Sequence, residues 1–584
     1  MKIKKTTRLK NISINSNLFF YNVSSKNQST KKQLRSFWKY IFLFLTIVLI
    51  ITFFAFLDYS FADKFGFKLF AKNLKKLFSF DSESTYLLGK TNNWSLSFKY
   101  LFITIKTTLS GTFIGFLLAL LTSFFSSKYS VNKYFSIIVK SIILFLRSIP
   151  ELVFINLFMI GFYPEMAMVM VFMWFSWLWL HKYFIDAIDS FNIKDYYDSI
   201  KQGDIKIISF YNHIFKRLFS RFASLFIYSF ESNIRWGSII SILGLSGIGI
   251  LINFSGSSDQ YFSQISIPLL ILFIFIIMLE ILNFILKKYL FDDVSKINKE
   301  TDFKKLVSKK DVKKILKITL FIILIISSIV VVSTINISRT SIQQTKDFFK
   351  SVFNVDWSVI KLNNSLDYNP FLQIYQALKF SLYSLIIMII FSFYILYMSL
   401  YKLKGIRTSF IFKFINTLIR VIPSVMLIYI FNPILNSKIT LLIFVLSLHS
   451  SSSFTKRLYE TIDTLDFAFI ENLKIQNISN FKIYKSYLIP SIKKELILLL
   501  VLYFELGFRN AITYSAFSSG ELRIGSFINQ NMNQIKYQPN RAMAYIWISS
   551  ISIIVINLFS EIYKNYDFIK KKTTTIYNKI KTCS

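Results

Sequence analysis

Apolar residues arrive in long blocks almost free of charge. Phe37 to Leu57, Ile265 to Leu286 and Ile318 to Ile335 each come close to the roughly 20 residues that a bilayer-crossing helix needs. An amphipathic helix of a soluble core keeps one wet face, and these segments have none. In lipid every backbone polar group must find its partner inside the protein, so apolar blocks of this length are read as helices. The expected fold class is an all-α polytopic membrane protein.

Charge then orients the chain. The net charge is +38, with Lys and Arg concentrated between the apolar blocks, which argues against a nucleic-acid partner and for contact with the lipid bilayer. The first forty residues carry Lys2, Lys4, Lys5, Arg8, Lys10, Lys26, Lys31, Lys32, Arg35 and Lys39 and no acid, which marks a cytoplasmic tail. The apolar run behind it is as long as a full span and lacks a small-residue cleavage pattern, so a retained anchor is expected. A single cysteine, Cys583, excludes an internal disulfide.

These signals divide the chain into a basic tail (1–37), an anchor span (38–57), an extracytoplasmic loop (58–97) and a first membrane domain (98–286). A cytoplasmic linker (287–314), a span (315–335), a second loop (336–370), a second membrane domain (371–562) and a basic tail (563–584) follow. The first domain holds five apolar segments beginning near Phe98, Ser136, Met166, Phe222 and Gln264. With the same order in the second part, the expectation is twelve spans with both termini cytoplasmic. Parity places 182–221 and 287–314 inside as well, and both are rich in Lys and Arg.

The second half repeats the first. At a displacement of 274, Lys182 falls on Lys456, Asp186 on Glu460, Asp189 on Asp463, Glu231 on Glu505 and Arg235 on Arg509. At 273, Arg147, Ile149 and Pro150 fall on Arg420, Ile422 and Pro423. Matches among Phe, Ile and Leu are expected by chance in so biased a composition; matched charges and prolines are not. Two parallel six-span halves would be related by a pseudo-two-fold axis along the membrane normal, where transport proteins place their pathway.

The longest inside loop of each half carries an apolar stripe. Ile475, Ile478, Phe481, Tyr484 and Leu488 recur at helical spacing in one, and Ile207, Phe210 and Ile214 in the other. Such a helix lies on lipid or docks into a protein. Glu471-Asn472-Leu473, then Asn477, and Pro490 thirteen residues later resemble the cytoplasmic loop of importer permeases in the ATP-binding-cassette (ABC) family. In the first half Gly203 and Lys216 stand at the glycine and proline positions, and Tyr197 stands where the second half has Glu471. Asn477 in place of glycine suits a left-handed backbone between two helical pieces.

Three further elements resemble the phosphonate-type permeases of that family: Arg147-Ser148-Ile149-Pro150-Glu151, Phe230 to Arg235, and Gly244 to Gly249. The doubled, Phe- and Lys-rich chain is also similar to the fused high-affinity transport-system permease of mycoplasmas. The resemblance implies a type I ABC importer permease of a bacterial plasma membrane. It implies two ABC ATPase subunits as partners, an extracytoplasmic substrate-binding lipoprotein, and coupling through Gly203, Glu471, Asn477 and Pro490. It also implies a phosphonate, organophosphate or similar anionic solute, thiamine pyrophosphate among them.

The residues agree with that division of labour. No G-x-x-x-x-G-K-[ST] loop occurs, so ATP and Mg are expected on the partner subunits and no cofactor in this chain. His181, His213 and His449 with one cysteine offer neither a metal cluster nor a nucleophile, so no enzymatic activity is expected. Glu231 and Arg235 are four apart, as are Glu505 and Arg509, so each pair shares a helical face and can neutralise itself, as a packing clamp or as part of the pathway. Arg147 and Arg420 are further candidate pathway cations, since guanidinium suits phosphate oxygens. An ion-coupled carrier and a non-transporting scaffold are the alternatives: the first would work without ATP, the second would show no solute-dependent hydrolysis.

Overall fold

The computed structural model describes residues 20–25, 28–55, 57, 64–87, 89–286, 289–290, 312–336, 341–361, 368–463, 465, 468–516, 522–532 and 537–564. Most of the 287–314 linker, Ser518 to Gly520, Cys583 and the Lys570 to Lys572 cluster lie outside these residues. The chain forms two units, one up to Tyr59 and one from Ser60 onward. In the first, strands β1 (Phe20–Ser25) and β2 (Gln28–Leu34) pair antiparallel with Phe20 opposite Leu34 and lead into helix α1 (Ser36–Ala55).

The second unit is helical apart from a two-residue strand pair. Its first half runs through α2 (Lys64–Lys76), α3 (Asn93–Ser126), α4 (Lys133–Ser148), α5 (Glu151–Gly161) and α6 (Pro164–Asp189). The loop helices α7 (Lys194–Lys201) and α8 (Lys206–Phe210) follow, then α9 (Lys216–Ile240), α10 (Gly249–Gly256) and α11 (Ser266–Leu286). After α12 (Val312–Thr334) and α13 (Ile342–Ser351) the order recurs as α14 (Pro370–Ser399), α15 (Ile406–Val421), α16 (Ser424–Phe431) and α17 (Lys438–Asp463). Loop helices α18 (Ala468–Ile475) and α19 (Asn480–Ile483), then α20 (Lys493–Tyr514), α21 (Ile524–Met532) and α22 (Pro539–Lys564) complete the second half.

Among the described residues, 7 helices are long and apolar enough to cross a membrane, and two bent pairs bring the number to 9. The remaining three of the twelve expected segments are α1, α9 and α17, which are 20, 25 and 26 residues long. Helices α9 and α17 have the length of a span, but charged and hydroxyl side chains dilute their apolar character.

The bent pairs follow from the Arg-x-Ile-Pro motif. A proline forces the residue before it into extended backbone, so Ile149 (ψ 131°) and Ile422 (ψ 123°) end α4 and α15. Pro150 and Pro423 then cap α5 and α16, turned by 82° and 90°. Arg147 and Arg420 consequently occupy the last turns of α4 and α15, where a cation complements the helix dipole.

Different small residues pack the two halves. A Cβ on Gly111 or Gly115 would stand 2.5 Å from the carbonyl oxygen of Val169 or Met173, so these glycines let α3 and α6 touch backbone to backbone. In the second half the matching crossing is made by hydroxyls: Ser447 donates to Ser384 at 3.1 Å, and Ser392 to the Ser451 carbonyl at 3.3 Å.

Contacts between the halves are swapped in pairs, as a two-fold requires. Helix α4 packs on α22 and α15 on α11; α5 packs on α21 and α16 on α10; α2 and α13, which precede the first core helix of each half, pack on α16 and α5. One element departs from the expected order. The 315–335 span, expected to open the second half, lies as α12 on the first: Phe321 meets Phe113 edge-on at 5.6 Å and Lys317 donates to Ser220 at 3.0 Å.

Candidate functional site

The charged pairs meet across the boundary between the halves. Glu505 Oε1 accepts from Arg509 Nε at 3.2 Å and Nη2 at 3.0 Å, and from Asn557 Nδ2 at 3.0 Å. Arg147 reaches in from the first half, donating to Asn557 Oδ1 at 2.8 Å with Glu505 at 3.9 Å. Arg147 and Arg509 both lie over the indole of Trp179, at 5.7 and 5.9 Å from its centroid. The first-half counterpart is built differently. Glu231 pairs with Arg235 at 3.1 Å and accepts from Asn283 at 3.3 Å, whereas Arg420, crossing from the second half, pairs with Glu280, with Lys456 at 3.7 Å from the same oxygen. Ile554 occupies the position that matches Glu280.

Two cavities lie between the halves. The inner one, about 230 Å³, is bounded by α6 and α9 on one side and α17 and α20 on the other. The wider one, about 750 Å³, extends toward the loop ends of the same helices and is lined by Glu280, Arg420, Lys456, Glu460 and Glu495. Tyr183, Leu225, Tyr228, Ser453 and Arg457 border both. Arg457 Nη2 meets the Tyr183 hydroxyl at 3.5 Å, and these residues are 274 apart in sequence. Residues equivalent by the repeat touch each other only near the symmetry axis, so this contact marks the axis and the cavities lie along it.

The two long loops, one per half, stand at the mouth of the wider cavity, because Glu460 and Thr461 lie at the end of α17, Tyr183 near the end of α6, and Ser224 and Glu495 toward the starts of α9 and α20. The loops share one plan. Gly203 (φ 99°) and Asn477 (φ 57°) adopt the left-handed backbone that divides each into two helical pieces, and a π-helical turn follows at Tyr211–Phe215 and Tyr484–Leu488. Lys206 donates to the Val131 carbonyl at 2.6 Å, and its repeat equivalent Asn480 to that of Leu403 at 2.8 Å. Each loop is thereby tied to the turn after the first core helix of its own half.

The second-loop stripe, expected on one short helix, is split at Asn477, with Ile475 left on α18, whereas the first-loop stripe of Ile207, Phe210 and Ile214 lies wholly after Gly203 on α8 and the π-helical turn. Phe210, Ile214, Tyr484 and Leu488 are buried against the bundle, while Ile207, Ile475 and Phe481 point outward, Ile475 being 83% exposed. Glu471 is held by Lys402 at 2.9 Å, and this hydrogen bond raises the lysine pKa. Asp195 in the first loop bonds Arg217 at 2.5 Å, and that guanidinium holds its carboxyl below the usual range. Pro490 opens the turn that leads into α20.

The expected pathway cations separate. Arg235 lines the inner cavity and Arg420 the wider one. Arg147 and Arg509 instead border a 10 Å³ void beside Glu151 and Trp179. In the Gly244 to Gly249 run, Gly244 (φ 103°) and Gly247 (φ 139°) turn the chain after α9, and a Cβ on Gly249 would stand 2.3 Å from the Ser238 carbonyl. Gly525 makes the same approach to Ile512, the repeat equivalent of Ser238. Sequence reasoning missed Asn283 and Asn557, which also match at 274, and Arg457, the neighbour of the matched Lys456. No group of His, Cys, Asp and Glu able to hold a metal occurs among the described residues.

Comparisons with known proteins agree with this architecture. Residues 397–566 match the family described as binding-protein-dependent transport system inner membrane component. The chain is 28% identical over 515 residues to the ABC transport system permease protein p69 of Mycoplasma pneumoniae, covering 86% of this chain and 92% of that protein. It is 27% identical over 561 residues to the protein of the same description from Mycoplasma genitalium, covering 94% and 99%. No solved structure matches the chain.

Proposed function

We infer that this chain is the membrane-spanning permease subunit of an ABC importer, with both pathway halves fused in one polypeptide. The observation that carries the reading is a cavity on the quasi-two-fold axis whose mouth is flanked by two equivalent loops, each presenting apolar side chains outward. Two ATPase subunits, one per loop, are the partners that this duplicated surface fits. Both termini are cytoplasmic in this arrangement, the chain sits in a bacterial plasma membrane, and an extracytoplasmic lipoprotein delivers the solute.

Closure of the ATPases pushes the elbows at Gly203 and Asn477, and the rigid ties from Lys206 and Asn480 pass that displacement to the helix turns behind them. The halves then rock about the axis and expose the cavity alternately. Arg235, Arg420, Lys456 and Arg457 along the cavities suit an anionic solute such as a phosphonate, organophosphate or thiamine pyrophosphate.

The test is uptake and hydrolysis by the reconstituted complex. Gly203→Val and Glu471→Arg are expected to leave hydrolysis running while uptake falls by about tenfold or more, the signature of a lost mechanical link costing on the order of 1.4 kcal/mol or more. Normal coupling in both variants would remove the loops from the mechanism. Uptake that survives ATP depletion with the ion gradient clamped would replace the importer with an ion-coupled carrier.

A further inference from the structure

The inner cavity has two unlike walls where a pair of identical subunits would have two alike. On α6, Phe175, Trp179 and Tyr183 are spaced four apart and line one face; their equivalents on α17 at 274 are His449, Ser453 and Arg457. Trp236 on α9 faces the cavity too, and its equivalent on α20 is Asn510. At these four positions the first half contributes an aromatic ring and the second a polar group, while two other matched pairs on the lining run the opposite way, Ser229 with Tyr503 and Ser232 with Leu506. Fusion permits this division, because each half can then change alone.

The charges on the cavity are not equally available. Arg235 is taken by Glu231 at 3.1 Å, and Glu151 shares its small void with Arg147 and Arg509. Arg457 makes no salt bridge among the described residues; its neighbours are neutral phenols, the Tyr183 hydroxyl at 3.5 Å and that of Tyr228. A guanidinium without an acid, at the axis and beside an aromatic wall, is a receptor for an anion attached to a flat group.

We propose that the inner cavity takes solutes carrying both a planar aromatic ring and an anionic group, the ring lying against the wall of Phe175, Trp179 and Trp236 and the anion at Arg457. This deepens the permease reading and rests on the cavity being the solute's path. Aromatic stacking adds discrimination over a saturated ring of similar size, and Arg457 adds discrimination over a neutral one.

The experiment measures direct binding to the full-length chain in lipid nanodiscs by saturation-transfer NMR, with phenyl phosphate, cyclohexyl phosphate, inorganic phosphate and benzyl alcohol as probes. Phenyl phosphate is expected to bind about fivefold or more tighter than each of the others, about 1 kcal/mol from stacking or from charge pairing. Trp236→Leu should erase the preference for phenyl over cyclohexyl phosphate while keeping the preference over benzyl alcohol. Arg457→Gln should do the reverse, and Arg457→Lys should restore part of the anion preference. Equal binding of phenyl and cyclohexyl phosphate, or unchanged selectivity in folded Trp236→Leu and Arg457→Gln chains, would overturn the proposal. Binding needs no ATPase, so failure here leaves the coupling test of the permease reading untouched, and failure of coupling leaves this result standing.

Discussion

The two swapped charge clusters each draw on one Glu, one Asn and two Arg and close in opposite ways. In the second half one carboxylate, Glu505, gathers Arg509, Asn557 and the incoming Arg147, all of it buried and away from the larger cavities. In the first half Glu231 keeps only Arg235 and Asn283, and the incoming Arg420 is drawn to Glu280 at the edge of the 750 Å³ cavity. The difference arises from one residue: Glu280 against Ile554. A duplicated clamp has thus become a closed lock on one side and a cavity-lining pair on the other. The first-half cluster is the one placed to respond when the cavity fills or opens.

Removing the acid at the centre of the lock should have the largest effect. Glu505→Gln leaves Arg509 and Arg147 buried without a counter-charge, and breaking a buried pair in this way costs about 3–5 kcal/mol. Reversible unfolding of the purified chain in mixed micelles measures it. Glu231→Gln should cost less, about 1–3 kcal/mol, because Arg420 retains Glu280 and only Arg235 loses its partner. A larger loss for Glu231→Gln than for Glu505→Gln would break the distinction. Glu280→Ile, which copies the second half, sharpens it: stability should change by less than either, since Arg420 can turn to Glu231, while transport should suffer if the open pair responds to the cavity.

Much of this organisation was legible before any coordinates, for physical reasons that also mark where legibility ended. A left-handed turn was readable from Gly203 and Asn477, while the breaks ahead of Pro150 and Pro423 are explained by the extended backbone that a proline imposes on the residue before it. Matched charges at a fixed displacement exposed the duplication. Spacing along one helix, however, reports only neighbours on that helix. It showed that Glu505 can reach Arg509 and could not show Arg147 arriving from 358 residues earlier, as the 3.9 Å approach of these groups requires. The placement of α12 on the first half was equally hidden, because its apolar residues suit any lipid-facing groove and say nothing of which half supplies it. The unlike cavity walls needed the pairing of α6 with α17 before the aligned positions could be seen to face one space.

Backbone strain offers the next comparison, between the two elbows. A side chain with Cβ in the left-handed region costs roughly 1–2 kcal/mol, so Gly203→Ala should destabilise the first loop by about that amount, and Asn477→Gly should leave the second unchanged or slightly firmer. No atom lies within 4 Å of where a Cβ on Gly203 would stand, so any cost there comes from the backbone alone and not from a clash. Limited proteolysis across 194–215 and 468–488 in the two variants reads this out loop by loop.

The smallest effect separates the loops by pH. Asp195 has its pKa lowered from 3.8 by its bond to Arg217, so the first loop's tie is complete above that value and is lost as pH falls through the depressed pKa. Lys402 has its pKa raised from 10.5 by its bond to Glu471, so the second loop's tie is complete below 10.5 and is lost as pH rises through the raised value. Both pairs are exposed and therefore weak, which makes local mobility a better readout than global stability. Nitroxide labels at Ile207→Cys and Ile475→Cys, in a Cys583→Ser background, should show the first loop loosening on the acid side and the second on the alkaline side, with neither moving between. Absence of loosening in the first loop on acidification would mean that the bond between Asp195 and Arg217 is not what fastens it.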